Sequence, residues 1–479
     1  MKNLGLEQEV YKYIDDHKEK FLEASDKLWD YAELQFVEHQ SAALLSGLLE
    51  EAGFQVERGL AGMETCFVGT FGQGKPVIGI LGEYDALTGL SQKADVAEKC
   101  ALVPGGAGHG CGHNGFGAST VFAAIAVKKF MEEKGLKGTV KYFGCPAEEG
   151  GGGKVYMIRA GLFQDVDAAM TWHPWFCNGY LKTGSLANAH LNVKFHGIGS
   201  HAAASPYLGR SALDAMELMN VGINYLREHM IPTARIHYAY LNAGGKAANV
   251  VQSESEGSYV IRAPKISQVT DLIKRVEKIA QGAALMTETS VEYKVVGSYA
   301  DYRANKTICD AFYRHLKEVI PQDYTDEEKA YARKFKQTIT PVQMDTVKDQ
   351  LRELVAGHPE YDVDKLFEED IMNIVAPAIR MYGSSDVGDV SWVVPTSHFG
   401  VVVDAMGTPG HSWQRVAQGK SSIAHKGMVA ATKVLAMSVL DFLENPELVT
   451  AAKADFEKEM GGDTYQLLLP EDIQPGSNP

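Results

Sequence analysis

The chain has 479 residues, enough for two or three domains and a large core. Its 45% hydrophobic and 22% charged content is ordinary for a soluble globular protein. A formal net charge of −15 with no basic block to offset it argues against nucleic-acid binding. Cys66, Cys100, Cys111, Cys145, Cys177 and Cys309 are scattered and form no CxxC pair, which suits a reducing compartment better than a disulfide framework. The first 22 residues are charged and helix-like, without the apolar core of a signal peptide, and no window approaches the ~18 unbroken apolar residues of a membrane span. The expected location is the cytoplasm.

Helical patterns open the chain, the second around residues 41–51 and ending at Gly53, a natural C-cap. Strand-like runs follow at 67–71 and 76–81, the latter closing on Gly82-Glu83-Tyr84-Asp85. Next comes Gly108-His109-Gly110-Cys111-Gly112-His113-Asn114, a thiol and two imidazoles separated only by glycines. Cys111 and His113 lie two apart, so on a helix they would point to nearly opposite sides. They reach one ion only from a loop or a helix entry, and residues 121–131 read as that helix. A strand over 139–143 leads to Gly144-Cys145-Pro146-Ala147-Glu148-Glu149; a helix near 154–160 precedes a strand over 168–172 that ends at His173. Strand alternating with helix predicts an α/β domain with a mostly parallel sheet and helices on both faces.

The character then changes. Alternation over 186–195, a helix over 211–227, strand-like runs at 234–241, 248–252 and 259–263, a helix over 269–285 and a strand over 290–296 come closest to the order β-α-β-β-α-β, with one strand-like run beyond it. This predicts an inserted α+β unit, with residues 1–184 as the first part of the catalytic domain, 185–299 as the insert and 300–479 as the second part. Residues 325–369 are charged and read as helical. The last α/β portion has a strand-like run at 397–404, then Gly407-Thr408-Pro409-Gly410-His411, then a helix over 423–443.

Glu83 with Asp85, Glu148 with Glu149, His173 and His411 each fall just after an expected strand, where open parallel sheets place their functional crevice. With Cys111 and His113 they supply one thiolate, three imidazoles and at least one carboxylate. That exceeds a single tetrahedral site and suits two metals with open positions. In the Glu148-Glu149 pair one carboxylate can ligate while its neighbour serves as general base; a solvated acidic turn is the plainer reading of such a pair alone. Gly150 to Gly153 followed by Lys154 superficially suggest a phosphate loop, but that pattern requires Gly at 148 and Ser or Thr at 155, where Glu148 and Val155 stand.

The motifs Leu81-Gly82-Glu83-Tyr84-Asp85-Ala86-Leu87, His109-Gly110-Cys111-Gly112-His113-Asn114, Thr171-Trp172-His173-Pro174, Ser385-Asp386-Val387-Gly388-Asp389-Val390-Ser391-Trp392 and Ile423-Ala424-His425-Lys426-Gly427-Met428 resemble the di-metal aminoacylase/carboxypeptidase superfamily, in its amidohydrolase branch with a Cys-Gly-His loop. The resemblance spans essentially the whole chain, including Gly209-Arg210-Ser211-Ala212-Leu213-Asp214-Ala215. It implies Cys111, His113, Glu149, His173 and His411 as metal ligands for two divalent ions per subunit, Zn or Mn. It implies Glu148 as general base and Asp85 as the acid that supports a ligand from behind. Relatives in the carboxypeptidase branch have His-x-Asp where this chain has Glu83-Tyr84-Asp85, so the role of Glu83 stays open. The insert matches the family's lid or dimerisation domain. His201, in Gly199-Ser200-His201-Ala202, matches the lid histidine that stabilises the oxyanion, and Asn249 and Arg262 match residues that grip a substrate carboxylate. The implied activity is hydrolysis of the amide bond of an N-acyl or aroyl amino acid, by a homodimer or a heterodimer with a paralogous subunit joined through the lid. A general deacylase, a dipeptidase, or a subunit that works only with its partner are the alternatives.

Overall fold

The computed structural model of the protein describes residues 4–181, 184–354, 362, 364–374 and 383–476. In chain order the strands are β1 (Gln55–Arg58), β2 (Phe67–Gln73), β3 (Val77–Glu83), β4 (Gly138–Cys145), β5 (Ala168–Trp175), β6 (Asn178–Leu181), β7 (Ala187–His196), β8 (Arg235–Asn242), β9 (Glu254–Ala263), β10 (Ser290–Tyr299), β11 (Ile371–Ile374) and β12 (Thr396–Val402). Contacts group the chain into two units. One runs to Gly184, resumes at Arg303 and again at Asp389, and ends at Thr464; the other holds Ser185–Tyr302, a stretch ending at Gly388 and the residues from Tyr465.

The larger unit is built on a mixed sheet in the order β1-β2-β4-β3-β5-β12-β6-β11. Its centre, β4-β3-β5-β12, is parallel throughout; β1–β2, β2–β4 and β12–β6 pair antiparallel. Every residue of β3 is buried, the unbroken apolar run of a strand covered on both faces. The helix His113–Lys134 packs beside β3 and the helix Ser422–Glu444, and it is buried on most of its circumference. Its alanines (118, 123, 124 and 126) let it lie close to the sheet, with Phe122 stacked on Phe21 at 3.8 Å between ring centres. Gly117 is required by that approach, since a Cβ there would stand 2.8 Å from the carbonyl oxygen of Glu83. The N-terminus of this helix is thereby held at the carboxyl end of β3.

The smaller unit has the expected order β-α-β-β-α-β. Its sheet, β10-β7-β9-β8, is antiparallel, and the helices Ala212–Leu226 and Ile266–Thr287 pack against it. β7 and β9 alternate buried and half-buried residues, whereas β8, an edge strand, is exposed along nearly its whole length.

Two expectations are corrected. Residues 248–252 do not form a strand, because their backbone is taken up in single bonds to the 200–202 turn (Ala202 N to Asn249 O and Val251 N to Ser200 O, both 2.9 Å) rather than in a ladder. The helical reading of 325–369 holds for Asp326–Lys336 and Pro341–Leu354, separated by a break before Pro341. It fails at 364–369, where Phe367 stacks on Tyr324 and Leu366 O accepts from Met406 N, pinning a bent segment. Residues 355–361 and 363 lie outside the described residues.

Candidate metal centre

β3 delivers Glu83 as its last residue, and Asp85 follows two positions on. Gly112, at φ 83°, turns the chain into the helix that starts at His113. A side chain at 112 would be strained by that backbone and would meet Pro174 Cβ at 2.9 Å. His113 Nδ1 donates to Asp85 Oδ1 at 2.9 Å, while Asp85 Oδ2 accepts from the Glu149 amide at 2.8 Å. One carboxylate therefore fixes an imidazole and the turn that carries both glutamates. His173 Nδ1 donates to the Pro174 carbonyl at 2.9 Å and turns Nε2 toward Cys111 Sγ, 3.4 Å away. His411 N donates to Gly110 O at 2.9 Å, which ties its loop to the Cys/His loop, and its Nε2 stands 3.4 Å from Glu149 Oε2. His173 lies inside β5 rather than beyond its end, since that strand runs on to Trp175.

Among the described residues, three ligand groups have atoms all within 4.8 Å of one another: Cys111, His113 and His173; Cys111, Glu149 and His411; and Glu83, His113 and Glu148. The first two share Cys111 and together contain every residue expected as a ligand. Two buried atoms among them, His113 Nε2 and Glu149 Oε1, have no hydrogen-bond partner. Each faces the other residues of the cluster, with 4.0 Å between them. Such orphaned polar atoms are rare in folded proteins, and a missing ion is one explanation of them.

Electrostatics agree. Burial, reinforced by Glu149, pushes the Cys111 thiol up to about 12, and burial pushes Glu149 up to about 7. Burial and the neighbouring His113 hold His173 well below the usual imidazole range. His113 is well above that range: burial opposes its protonation, but Cys111 and Asp85 outweigh it. A divalent ion among these groups would draw the Cys111, Glu149 and His113 protons off and keep His173 neutral, the states in which all four can ligate. The residues fit the metals expected of them.

Two contributors carried no legible signal. Lys154, whose phosphate-loop reading fails, is fully buried and pairs with Glu83 at 2.7 Å. Glu38 accepts from the Ala147 amide and from Thr65 Oγ1, both at 2.8 Å, bracing the residue before Glu148. In the smaller unit His201 and Asn249 are exposed and joined through the Ala202 amide, and Arg262 on β9 is half-buried with Nη1 3.1 Å from Ser384 Oγ. His201 Nδ1 accepts from the amides of Ala203 and Ala204 at 3.2 and 3.1 Å, so its proton resides on Nε2.

Fold and site together define a metal-dependent amidohydrolase with an inserted α+β unit. The chain belongs to peptidase family M20/M25/M40, which matches residues 79–391. Its Cys/His-loop and strand-end motifs resemble in particular the B subunit of p-aminobenzoyl-glutamate hydrolase, and the chain is 43% identical to that protein from Escherichia coli over 98% of its own length and 99% of the relative. It is 29% identical to the Xaa-Arg dipeptidase of Mus musculus, covering 94% of this chain and 92% of the dipeptidase. The A subunit of the E. coli hydrolase matches 49% of the chain and 56% of itself at 30% identity. Among solved structures, a dinuclear metal-binding peptidase of the M20 family from Bacillus subtilis superposes with a TM-score of 0.55 at 16% identity, covering 91% of this chain and 99% of that one, and shares its fold.

Proposed function

We propose that the protein hydrolyses the amide bond of p-aminobenzoyl-glutamate, releasing p-aminobenzoate and glutamate, a step of folate catabolism. The observation that carries this reading is the 43% identity to the E. coli B subunit over both units. Cys111, His113, Glu149, His173 and His411 would hold two divalent ions per subunit. The thiolate leans toward Zn, and the oxygen and imidazole donors also suit Mn. When bound, the ions supply Lewis acidity and lower the pKa of water toward ~7. Glu148 takes the proton of the attacking water and delivers it to the leaving nitrogen. His201 donates from Nε2 to the oxyanion, for which its tautomer is already set. Asn249 and Arg262 bind the substrate carboxylate.

The unit at 185–299 is read as the lid and dimerisation domain. Its edge strand β8 is open, and Leu218, Val221 and Tyr225 are exposed on the neighbouring helix. These features suit pairing with a second copy or with a paralogous subunit. No helix among the described residues is long and apolar enough to cross a membrane. A dipeptidase is the second reading, favoured by the likeness to the Xaa-Arg enzyme along nearly the whole chain.

The purified chain, loaded with Mn or Zn, should be assayed alone against p-aminobenzoyl-glutamate, N-acetyl amino acids and dipeptides. Release of p-aminobenzoate with the highest kcat/KM is expected. Faster cleavage of dipeptides would replace this reading by the second. Activity only after a paralogous subunit is added would make the chain one half of a heteromeric enzyme.

A further inference from the structure

The relation between Glu83 and His113 is not explained by the five ligands. Glu83 is 1% exposed, and its Oε2 stands 3.3 Å from His113 Nε2. Despite that distance the two atoms lack hydrogen-bond geometry, and Nε2 is a buried nitrogen without any hydrogen bond. With Nδ1 held by Asp85, Nε2 is the nitrogen turned to Glu83, and it stays buried without a hydrogen bond while a carboxylate oxygen stands beside it. Adjacent donors around one tetrahedral ion, at bonds of ~2.0–2.2 Å, stand roughly 3.3–3.6 Å apart, a range that includes the 3.3 Å found here. Glu148 offers a further carboxylate oxygen within 4.8 Å of a ligand atom of each residue.

The opposite oxygen of Glu83 is engaged elsewhere. Oε1 accepts from Lys154 Nζ at 2.7 Å, and Lys154 is 0% exposed. Burying an ammonium group is costly, so a lysine kept there needs a matching charge. The pairing fixes the Glu83 rotamer and cancels the charge that a further carboxylate would add beside Asp85, Glu149 and Cys111.

We propose that Glu83 is an additional oxygen ligand of the ion bound by His113 Nε2, and that Lys154 is the residue that positions it. The inference rests on the metal-centre reading above and extends it. A hard oxygen donor at this position favours Mn over Zn relative to the thiolate-bearing remainder of the centre.

Chelator-stripped protein should be titrated calorimetrically with Mn(II) and, separately, with Zn(II), and its bound ions counted by elemental analysis. Glu83→Gln is expected to weaken one of the ions at least tenfold, Mn more than Zn. Lys154→Met should weaken the same ion by a smaller factor. The double variant should bind no more weakly than Glu83→Gln alone, because Lys154 acts through Glu83. Wild-type affinity for both ions in Glu83→Gln, with only the melting temperature of the stripped protein lowered, would make Glu83 a mere counter-ion of Lys154 and overturn the proposal. Should Glu83→Gln not fold, an unchanged Mn(II) paramagnetic resonance spectrum in Lys154→Met overturns it equally. If the wild-type chain binds no ion at all, the underlying metal-centre reading fails first.

Discussion

The Asp85 carboxylate accepts the His113 Nδ1 proton at 2.9 Å, and that single bond decides which nitrogen of His113 faces the candidate metal centre. With Nδ1 held by Asp85, Nε2 is the nitrogen turned to the other candidate ligands. The second oxygen of Asp85 holds the Glu149 amide, so the acid orders two of the five expected ligands at once. Asp85→Asn removes the charge and turns an amide NH2 toward either His113 or Glu149 N. Supporting partners of this kind contribute about 10–100-fold to metal affinity. The variant should lose ions to a chelator at correspondingly lower concentration, measured by elemental analysis after dialysis.

Glu148 is expected to work as a base and not as a ligand. Glu148→Gln should keep the wild-type ion content and lower kcat by at least the ~10²–10⁴ typical of general acid–base groups. Loss of an ion in this variant, read by the same elemental analysis, would mean that Glu148 and Glu149 exchange roles.

Glu38 braces the turn that carries Glu148 and Glu149. Ala147, whose amide it holds, sits at φ 59°, an unfavourable backbone for a residue with a side chain. Glu38→Ala leaves that amide and Thr65 Oγ1 without their acceptor, at a cost of ~1–3 kcal/mol for each buried group. Both melting temperature and kcat should fall, with KM little changed. Glu38→Gln keeps an acceptor for Ala147 N and should recover most of kcat; failure to recover would show that the charge, not the bond, is what the turn needs.

How much of this was readable beforehand depends on sequence distance. The Cys111/His113 loop announces itself because its donors and the glycines that shape it are adjacent. The smaller unit declares its order because β7 and β9 alternate with period 2. β1, β6 and β11 span four residues each, too short for any period to show. Glu38 meets Ala147 across 109 positions and Lys154 meets Glu83 across 71, and no local pattern encodes such pairs. Residues 248–252 mislead for the converse reason: their composition suits a strand, but their backbone bonds to a turn.

Asp167 anchors the start of β3 and makes stability depend on acid. Burial raises its pKa, but Lys453 at 2.6 Å, the Val77 amide at 2.8 Å and Lys75 at 3.0 Å outweigh that and hold it below the ordinary value of 3.8. A carboxylate depressed in the folded state stabilises above its unfolded pKa, and the contribution disappears as pH falls through the lower folded value. Asp167→Asn should therefore melt earlier than wild type at neutral pH, with the gap closing below about pH 4. Both lysines are at least half exposed, so added salt should narrow the neutral-pH gap as well. Calorimetric melting temperatures at two pH values and two salt concentrations check both trends.

The last prediction concerns His201. Its Nε2 proton is fixed by the two amides that occupy Nδ1, so the ring is a ready donor, yet it is exposed within its own unit. If it serves the catalytic centre of a second subunit, His201→Ala and Glu148→Gln proteins should each be inactive alone and recover activity when their subunits are mixed and allowed to exchange. Complete exchange makes half of the dimers hybrid, and each hybrid holds one site with both wild-type residues and one with neither. Recovery should therefore approach about a quarter of wild-type activity for a symmetric two-fold dimer. Action within one chain predicts no recovery at any mixing ratio. A chain that sediments as a monomer at assay concentration with full activity would rule out the shared site while leaving His201→Ala informative, since a donor acting in its own chain would still lower kcat rather than raise KM.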